Sequence, residues 1–212
     1  MTTPIYFVTS SIFKQEENAA FQAVCTLQDG SAVNDEFEFH IVPNRIRERL
    51  ESRIADIVES EVREAYASVK KPCIVEHAGL VFDEYATQSY PGGLTKPLWN
   101  TLGDRFLSET RSGGRPATAI AVVAYCDGMK VHTFQGETAG VLSDQPRGDR
   151  KFYWDTVFIP RDNNSDGLTY AEIVERDGLE RKMREFSQSS KAMLAFLNWR
   201  MANTPSLWEV SY

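Results

Sequence analysis

Residues 5–14, with the sequence IYFVTSSIFK, join a predicted strand to a predicted helix and give the first indication of the fold. Residues 5–8 are β-branched or aromatic, as in a buried strand, and a helical pattern follows over residues 12–24. Hydroxyl residues at such a junction cap a helix N-terminus. Together with Lys14 they also form an anion site, because free N–H groups and the positive helix end face a ligand. Capping and phosphate binding both stay open for this segment.

The pattern of strands and helices continues outward from this junction. Strand and helix signals alternate in the first part of the chain, and an Asp-Gly pair in the middle predicts a hairpin. We therefore predict a mixed α/β fold in a single domain spanning residues 1–212. The predicted strands cover residues 36–42, 73–75, 119–126, 130–134, 140–142 and 156–159, and the later helices cover residues 46–69, 94–110 and 179–201.

Composition narrows the classes of protein. The 212 residues include 23 Lys and Arg against 30 Asp and Glu, a formal charge of −7, which argues against a nucleic-acid polymer or an anionic membrane as partner. The longest uncharged apolar stretch, residues 117–126, is short of the roughly 20 residues that span a membrane. No signal peptide is visible, and three separated cysteines favour a reducing, cytoplasmic location.

Acidic and imidazole groups follow the apolar run at residues 73–75. Glu76 and His77 stand there beside Ala78 and Gly79, an arrangement common at clefts. Glu76 offers the oxygen ligand that Mg²⁺ prefers. The alternative is a strand that leaves the core for solvent.

The segment 146–155, with the sequence PRGDRKFYWD, concentrates basic and aromatic residues before a predicted strand. Aromatic faces stack on planar rings, an aspartate accepts from ring N–H groups, and Arg or Lys meets phosphate. In an acidic chain this concentration indicates a nucleotide pocket. An aromatic core segment beside a basic turn is the alternative.

Seven motifs, taken in order, resemble those of the inosine triphosphate pyrophosphatase family, and together they cover most of the chain. They are Phe7-Val8-Thr9 with Lys14, Ile74-Val75-Glu76 with Gly79-Leu80, Pro91-Gly92, Gly136-x-x-x-Gly140, Pro146-Arg147-Gly148, Phe152-x-Trp154-Asp155 and Thr169-Tyr170-Ala171-Glu172. The resemblance implies an elongated mixed sheet flanked by helices, two lobes with a deep cleft, and a homodimer. It also implies Mg²⁺-dependent cleavage of nucleoside triphosphates between the α and β phosphates.

The resemblance also assigns roles to individual residues. It places Glu76, His77 and Lys14 in catalysis, with Asp56 and Glu76 as metal ligands. His77 stands where the family has a second acid, and because imidazole is a poor Mg²⁺ ligand, we expect His77 to accept a proton from water or to orient the water. The residues it assigns to substrate binding are Thr9, Ser11, Lys14, Lys96, Phe152, Trp154, Asp155 and Ser187.

Two further departures concern charge and base recognition. Glu61 replaces a lysine of the family's long helix, and Ser187-Gln188-Ser189 replaces a Ser-His-Arg motif that reads the purine edge. Loss of matched donors redirects base choice, so we expect a pyrophosphohydrolase with altered base selectivity. The alternatives are a nucleotide-binding protein that kept the fold and lost the chemistry, and a hydrolase for a specialised nucleotide.

Overall fold

The centre of the fold is one mixed β-sheet, and the computed structural model describes residues 2–203 apart from the side chains of residues 150–152. The strands are β1 (Thr3–Val8), β2 (Phe37–Val42), β3 (Cys73–Phe82), β4 (Pro91–Gly92), β5 (Pro116–Cys126), β6 (Val131–Leu142) and β7 (Phe158–Pro160). Their order is β2-β1-β3-β5-β6-β7, with β4 paired to β3. β1 is parallel to β2 and β3, whereas the remaining pairs are antiparallel. The predicted mixed α/β class is confirmed.

Helices cover the sheet and shape the cleft. The α-helices are α1 (Ile12–Val24), α2 (Val33–Glu36), α3 (Ile54–Val69), α4 (Thr95–Leu102), α5 (Phe106–Thr110), α6 (Tyr170–Asp177), α7 (Leu179–Arg181) and α8 (Gln188–Ala202). Segments of 3₁₀-helix cover Asp83–Gln88, Gly103–Arg105 and Arg150–Thr156, and a π-helical turn covers Lys182–Phe186. Within the described residues, no helix has the length and apolar character needed to cross a membrane.

The predicted hairpin is confirmed, and both of its strands are longer than expected. Gly128 takes a φ of +100°, and the Asp127 carboxylate accepts hydrogen bonds from the backbone N–H groups of Met129 and Lys130 at 2.8 and 2.7 Å. These contacts fix the tight turn, so β5 and β6 pair along their full lengths.

The predicted helix over residues 46–69 was wrong in its first two turns, because α3 begins only at Ile54. The Ser52 carbonyl accepts a hydrogen bond from Gly93 N at 2.9 Å, and the Ser52 hydroxyl donates to Gln88 O at 3.1 Å. These bonds to the turn around β4 replace helical hydrogen bonds. Leu50, expected on the apolar stripe, is consequently 78% exposed.

Two other predicted helices are divided. The helix over 94–110 breaks at Gly103, whose φ of +55° ends α4. The helix over 179–201 passes through the π-helical turn, and Ser187 then adopts extended dihedrals (φ −64°, ψ 123°) before α8 begins. Because of this second break, residues 187–189 lie beside the sheet edge instead of inside a continuous helix.

Three apolar clusters hold these layers together. One packs α1 and α8 on one face of the sheet and contains Phe7, Phe21 and Phe196. A second packs α3 on the opposite face. The third lies at the far end of β3 and includes Phe158 and Tyr170. The first two clusters form one lobe on the two faces of the sheet, and the third forms a second lobe, so two lobes lie along one sheet, as expected.

The free edge of β3 determines where a ligand can approach the sheet. β1 pairs with β3 only at Cys73 and Ile74, and β4 pairs with it only at Leu80 and Val81. Residues 75–79 have no strand partner on that edge within the described chain. Because successive side chains of a strand point to opposite faces, Glu76 and His77 flank this gap from its two sides.

Candidate active site

A cleft opens at the gap in β3 and encloses a cavity of about 470 Å³. This volume lies within the range of small-molecule binding sites. Its walls come from the β1–α1 junction, β3, α3, α4, the 3₁₀ segment of residues 150–156 and residues 182–189. Thr9, Lys14, Glu76 and Trp154, which are far apart in sequence, all line it.

The β1–α1 junction supplies hydroxyl groups and a helix N-terminus to the cleft. The Thr9 hydroxyl oxygen accepts a hydrogen bond from Ser11 N at 3.1 Å, and the Ser11 hydroxyl oxygen accepts one from Lys14 N at 3.4 Å. Capping is therefore confirmed. Both residues also line the cavity, so the two interpretations of this segment are compatible.

Lys14 and Glu76 form an ion pair at the strand gap. Lys14 Nζ lies 3.0 Å from Glu76 Oε2 and also donates to the Glu76 carbonyl, which lacks a strand partner there. The Ser189 hydroxyl donates to Glu76 Oε1 at 3.0 Å. Burial alone would lower the pKa of Lys14, but the neighbouring Glu76 carboxylate outweighs it and raises that pKa.

His77 faces α3 on the other side of the sheet. Its Nδ1 atom lies 3.8 Å from Glu61 Oε1, and the two side chains are 9% and 7% exposed. Glu61 Oε1 is buried and has no hydrogen-bond partner in the described chain. Both residues line the cleft.

Glu48 lies in the cleft wall, and Asp56 does not. Glu48 Oε1 lies 3.2 Å from Lys96 Nζ, and both residues line the cavity. Burial would raise the pKa of Glu48, but Lys96, His77 and Lys14 together lower it. Asp56, expected as a metal ligand, lies outside the cavity wall, and its exposed carboxylate pairs with Arg53 at 3.9 Å. Glu48 is not among the predicted site residues, because the sequence predicts a helix over residues 46–53 and the structure has none there.

The opposite end of the cleft contains a buried charge network. The Lys182 side chain is 2% exposed, and Nζ contacts the Asp155 carboxylate and, at 2.8 Å, Glu17 Oε1. Burial raises the pKa of Asp155 to about 6, against the lowering effect of Lys182. Burial would lower the pKa of Lys182, but Asp155 and Glu17 raise it instead. Trp154 packs on Tyr170 with 6.3 Å between ring centroids, and also lines the cleft.

Ser187, another residue expected to bind substrate, caps a helix and does not line the cavity. It is buried and its hydroxyl oxygen caps α8 by accepting from Ser190 N at 3.3 Å, whereas Gln188 and Ser189 line the cavity. The Phe152 side chain lies outside the described part of the chain, so its predicted role is not tested.

Three cleft residues that were not assigned to the site, Glu17, Tyr153 and Glu61, differ in how clearly the sequence indicates them. Glu17 follows Lys14 by three residues and so shares its face of α1. Tyr153 has a φ of +52° and its ring contacts Phe13 edge-on at 5.5 Å, which the sequence did not indicate. Glu61, noted only as a departure from a lysine, stands among the apolar residues that α3 buries.

These features define an α/β protein with a deep ligand cleft at a sheet edge, lined by ion pairs at both ends and by an aromatic wall at one of them. The chain belongs to the Ham1 family, whose model matches residues 5–199. The resemblance seen in the sequence is thereby confirmed.

Individual relatives agree with this membership. A dITP/XTP pyrophosphatase of Methanopyrus kandleri is 32% identical over 153 residues, covering 71% of this chain and 76% of that protein. A dITP/XTP pyrophosphatase of Pyrococcus horikoshii is 27% identical over 202 residues, covering 94% and 97%. A HAM1 protein from Coxiella burnetii has the same fold, with a TM-score of 0.63 at 18% identity over 94% of this chain and 100% of that one.

Proposed function

We propose that the protein is a Mg²⁺-dependent nucleoside triphosphate pyrophosphohydrolase that releases a nucleoside monophosphate and pyrophosphate. The names of its relatives support the enzyme class, a hydrolase acting on a phosphoric anhydride bond, and support non-canonical purine nucleotides as substrates. We call the part of the cleft formed by Thr9, Ser11, Lys14, Glu48, Glu61, Glu76, His77 and Lys96 the phosphate end. We call the part formed by Glu17, Trp154, Asp155, Lys182 and Gln188 the base end.

The observation that carries the proposal is the charge of the cleft. Among its described side chains, three lysines face five carboxyl groups, a formal excess of two negative charges with histidine neutral. Each lysine already contacts at least one of these carboxyl groups. A triphosphate therefore cannot bind favourably unless cations enter with it.

The residues at the phosphate end fit Mg²⁺. Glu48 and Glu76 offer carboxylate oxygens, which this ion prefers, and Glu61 has a buried oxygen without a hydrogen-bond partner in the described chain. Because Asp56 lies outside the cleft, we assign the magnesium ligands to Glu48 and Glu76 in its place. When bound, Mg²⁺ offsets negative charge on the phosphates.

The other groups at this end bind and orient the substrate. Thr9 and Ser11 hydroxyls donate to phosphate oxygens near the start of α1, whose positive end favours anions. Lys14 and Lys96 add point charges for the leaving pyrophosphate. His77 accepts a proton from the attacking water as its oxygen bonds to the α-phosphorus and the bond to the bridging α–β oxygen breaks.

At the base end, Trp154 supplies a flat apolar surface, together with Phe152 as the resemblance implies. Asp155 and Lys182 present an acceptor and a donor to the edge of the base. Gln188 and Ser189 stand where the family has His and Arg, so donor geometry at this edge differs. We propose that base selectivity is altered accordingly.

The resemblance further implies a homodimer, and composition and pattern favour a cytoplasmic location, a single domain over residues 1–212 and no nucleic-acid polymer as partner. These remain part of the proposal. Size-exclusion chromatography with light scattering tests the dimer: a mass near 24 kDa instead of twice that value contradicts it.

A nucleotide panel tests the activity. Ordinary, deaminated and otherwise modified nucleoside triphosphates are incubated with the full chain, with Mg²⁺ and with chelator, and pyrophosphate and monophosphate are both quantified. We expect equimolar products from at least one nucleotide, only with metal. Tight nucleotide binding without turnover, together with activity created by His77→Asp, would instead support a binding protein that has lost the chemistry.

A further inference from the structure

Glu61 and His77 form a buried pair whose side chains are too far apart to hydrogen-bond to each other. The 3.8 Å between Glu61 Oε1 and His77 Nδ1 exceeds the length of a hydrogen bond. Both side chains are at least nine-tenths buried, and Glu61 Oε1 has no hydrogen-bond partner in the described chain. A buried carboxylate oxygen left without a partner costs about 1–3 kcal/mol or more, so the arrangement favours occupation by a ligand.

Neighbouring lysines do not supply that partner. Lys14 contacts Glu76 through its ammonium group, and Lys96 contacts Glu48. Glu61 itself lies on the buried stripe of α3, between Val58 and Val62. What can satisfy Glu61 and His77 together must therefore come from the cleft that both residues line.

We propose that Glu61 Oε1 and His77 Nδ1 form a two-ligand site for a divalent transition-metal cation such as Mn²⁺, Co²⁺ or Zn²⁺. Bonds from Zn²⁺ to imidazole nitrogen and carboxylate oxygen are each about 2.1 Å. A separation of 3.8 Å is shorter than two such bonds laid end to end, so a cation fits between the two atoms. The ligand pair comes from two elements, α3 and β3, whose mutual packing fixes it.

The remaining coordination positions belong to water and to substrate. The described residues contain no group of three His, Cys, Asp or Glu side chains placed to hold a metal ion. That a nucleotide phosphate fills one of these positions rests on the proposed function. The nitrogen ligand separates the site from one for Mg²⁺, because transition-metal ions accept imidazole nitrogen and Mg²⁺ prefers oxygen.

The identity of the metal then decides what His77 does. With Mg²⁺ bound through Glu48 and Glu76, the His77 imidazole stays free to accept a proton. With Mn²⁺ or Co²⁺ between Glu61 and His77, the imidazole is a ligand.

Electron spin echo envelope modulation on Mn²⁺ added to the full chain, without nucleotide, tests the site directly. We expect ¹⁴N modulation from a coordinated imidazole in the wild type and its loss in His77→Gln. Titration followed by Mn²⁺ paramagnetic resonance gives the dissociation constant, which should rise at least tenfold in both His77→Gln and Glu61→Gln. Mg²⁺ should compete with Mn²⁺ poorly in the wild type.

The chain offers a matched control in the exposed pair His40 and Glu38, whose Nε2 and Oε1 atoms are 3.5 Å apart. His40→Gln should leave both the modulation and the affinity unchanged. Circular dichroism of each variant without metal checks that it folds, and Glu61→Asp, which keeps the carboxylate, should retain part of the affinity if Glu61→Gln does not fold.

Three outcomes would overturn the site: no ¹⁴N modulation in the wild type, modulation that survives in His77→Gln, or equal competition by Mg²⁺. Because the measurement contains no nucleotide, a failure to hydrolyse any nucleotide leaves its result unaffected. The metal site and the proposed activity can therefore fail separately.

Discussion

At the base end of the cleft, one buried ammonium group contacts two carboxyl groups, whereas at the phosphate end a buried carboxyl oxygen has no hydrogen-bond partner in the described chain. Lys182 contacts Asp155 and Glu17 with only 2% of its side chain exposed. Glu61 Oε1 lies 3.8 Å from His77 and remains unsatisfied. The base end thus supports the fold through charges that satisfy one another, whereas the phosphate end contains an unsatisfied acceptor, for which we propose a bound ligand as the partner.

The two ends of the cleft also differ in backbone structure. The phosphate end stands mainly on regular elements, β1, α1, β3 and α3, which place its side chains by simple periodicity. The base end depends on a 3₁₀ segment and a π-helical turn, Arg150–Thr156 and Lys182–Phe186. Irregular segments of this kind are stabilised by the packing of the residues around them. Turns of π-helix are frequent at functional sites.

Removing the ammonium group at the base end should have the largest effect on stability. Lys182→Met keeps most of the apolar stem but leaves Asp155 and Glu17 without their buried partner. Breaking a buried ion pair in this way costs about 3–5 kcal/mol. Urea unfolding followed by circular dichroism measures the loss.

Lys96→Met is the control for that experiment, because the Lys96–Glu48 pair is about half exposed. Exposed pairs contribute roughly 0–1 kcal/mol, so this variant should unfold close to the wild type. Similar losses in the two variants would mean that the base end does not depend on its charge network.

At the phosphate end, a lysine substitution should reduce turnover instead of stability. Lys14→Met removes charge stabilisation of the phosphates, for which we expect a fall in kcat/KM of about 10²- to 10³-fold. Glu76 keeps its hydrogen bond from Ser189 and borders the open cleft, so the free energy of unfolding should change less than in Lys182→Met. Steady-state kinetics on the best nucleotide of the panel measures the effect.

Lys71→Met controls for the general effect of removing a lysine. Lys71 is exposed and contacts Tyr6, and neither residue lines the cleft. Its kcat/KM should equal that of the wild type. If Lys14→Met lost stability as Lys182→Met does, with turnover preserved, the contrast between the two ends would be wrong.

The sequence predicted the phosphate end better than the base end, for reasons of periodicity. Thr9, Ser11 and Lys14 follow a strand at fixed helical positions, and Glu76 belongs to a buried strand that runs further than predicted, so local patterns were enough to bring all four to the cleft. Glu48 was missed because Ser52 bonds to a distant turn, which no local pattern records. Ser187, which the resemblance assigns to substrate binding, caps α8 and is not part of the cavity wall.

The packing of α8 shows why long-range contacts limited the fold prediction as well. A β-carbon on Gly136 of β6 would collide with the Gln188 carbonyl and with Ala192 N, so α8 approaches the sheet closely there. The sequence shows the glycine but does not reveal which element packs against it. The start of α8, and with it Gln188 and Ser189, therefore reaches the cleft through a contact 52 residues away in sequence.

A pH series gives a further test of the comparison between the two ends. Burial raises the pKa of Asp155 from its ordinary 3.8 to about 6, so the folded protein holds this proton more tightly than the unfolded chain. Between these two values the folded state binds more protons, and the free energy of unfolding therefore falls as pH rises from about 4 to 6. One group contributes at most about 1.4 kcal/mol per pH unit. Asp155→Asn should remove this contribution in urea unfolding measured at intervals across the window.

Asp56→Asn, at an exposed carboxyl group on α3, is the matched substitution for that series. Its stability curve should run parallel to that of the wild type, while the Asp155→Asn curve should be flatter between pH 4 and 6. The free energies of unfolding of the wild type and of Asp155→Asn could instead differ by the same amount at every pH from 4 to 6. That result would show that Asp155 stays ionised next to Lys182. In that case the effect of Lys182 on the pKa of Asp155 exceeds the effect of burial, and the ion pair at the base end stays charged throughout this pH range.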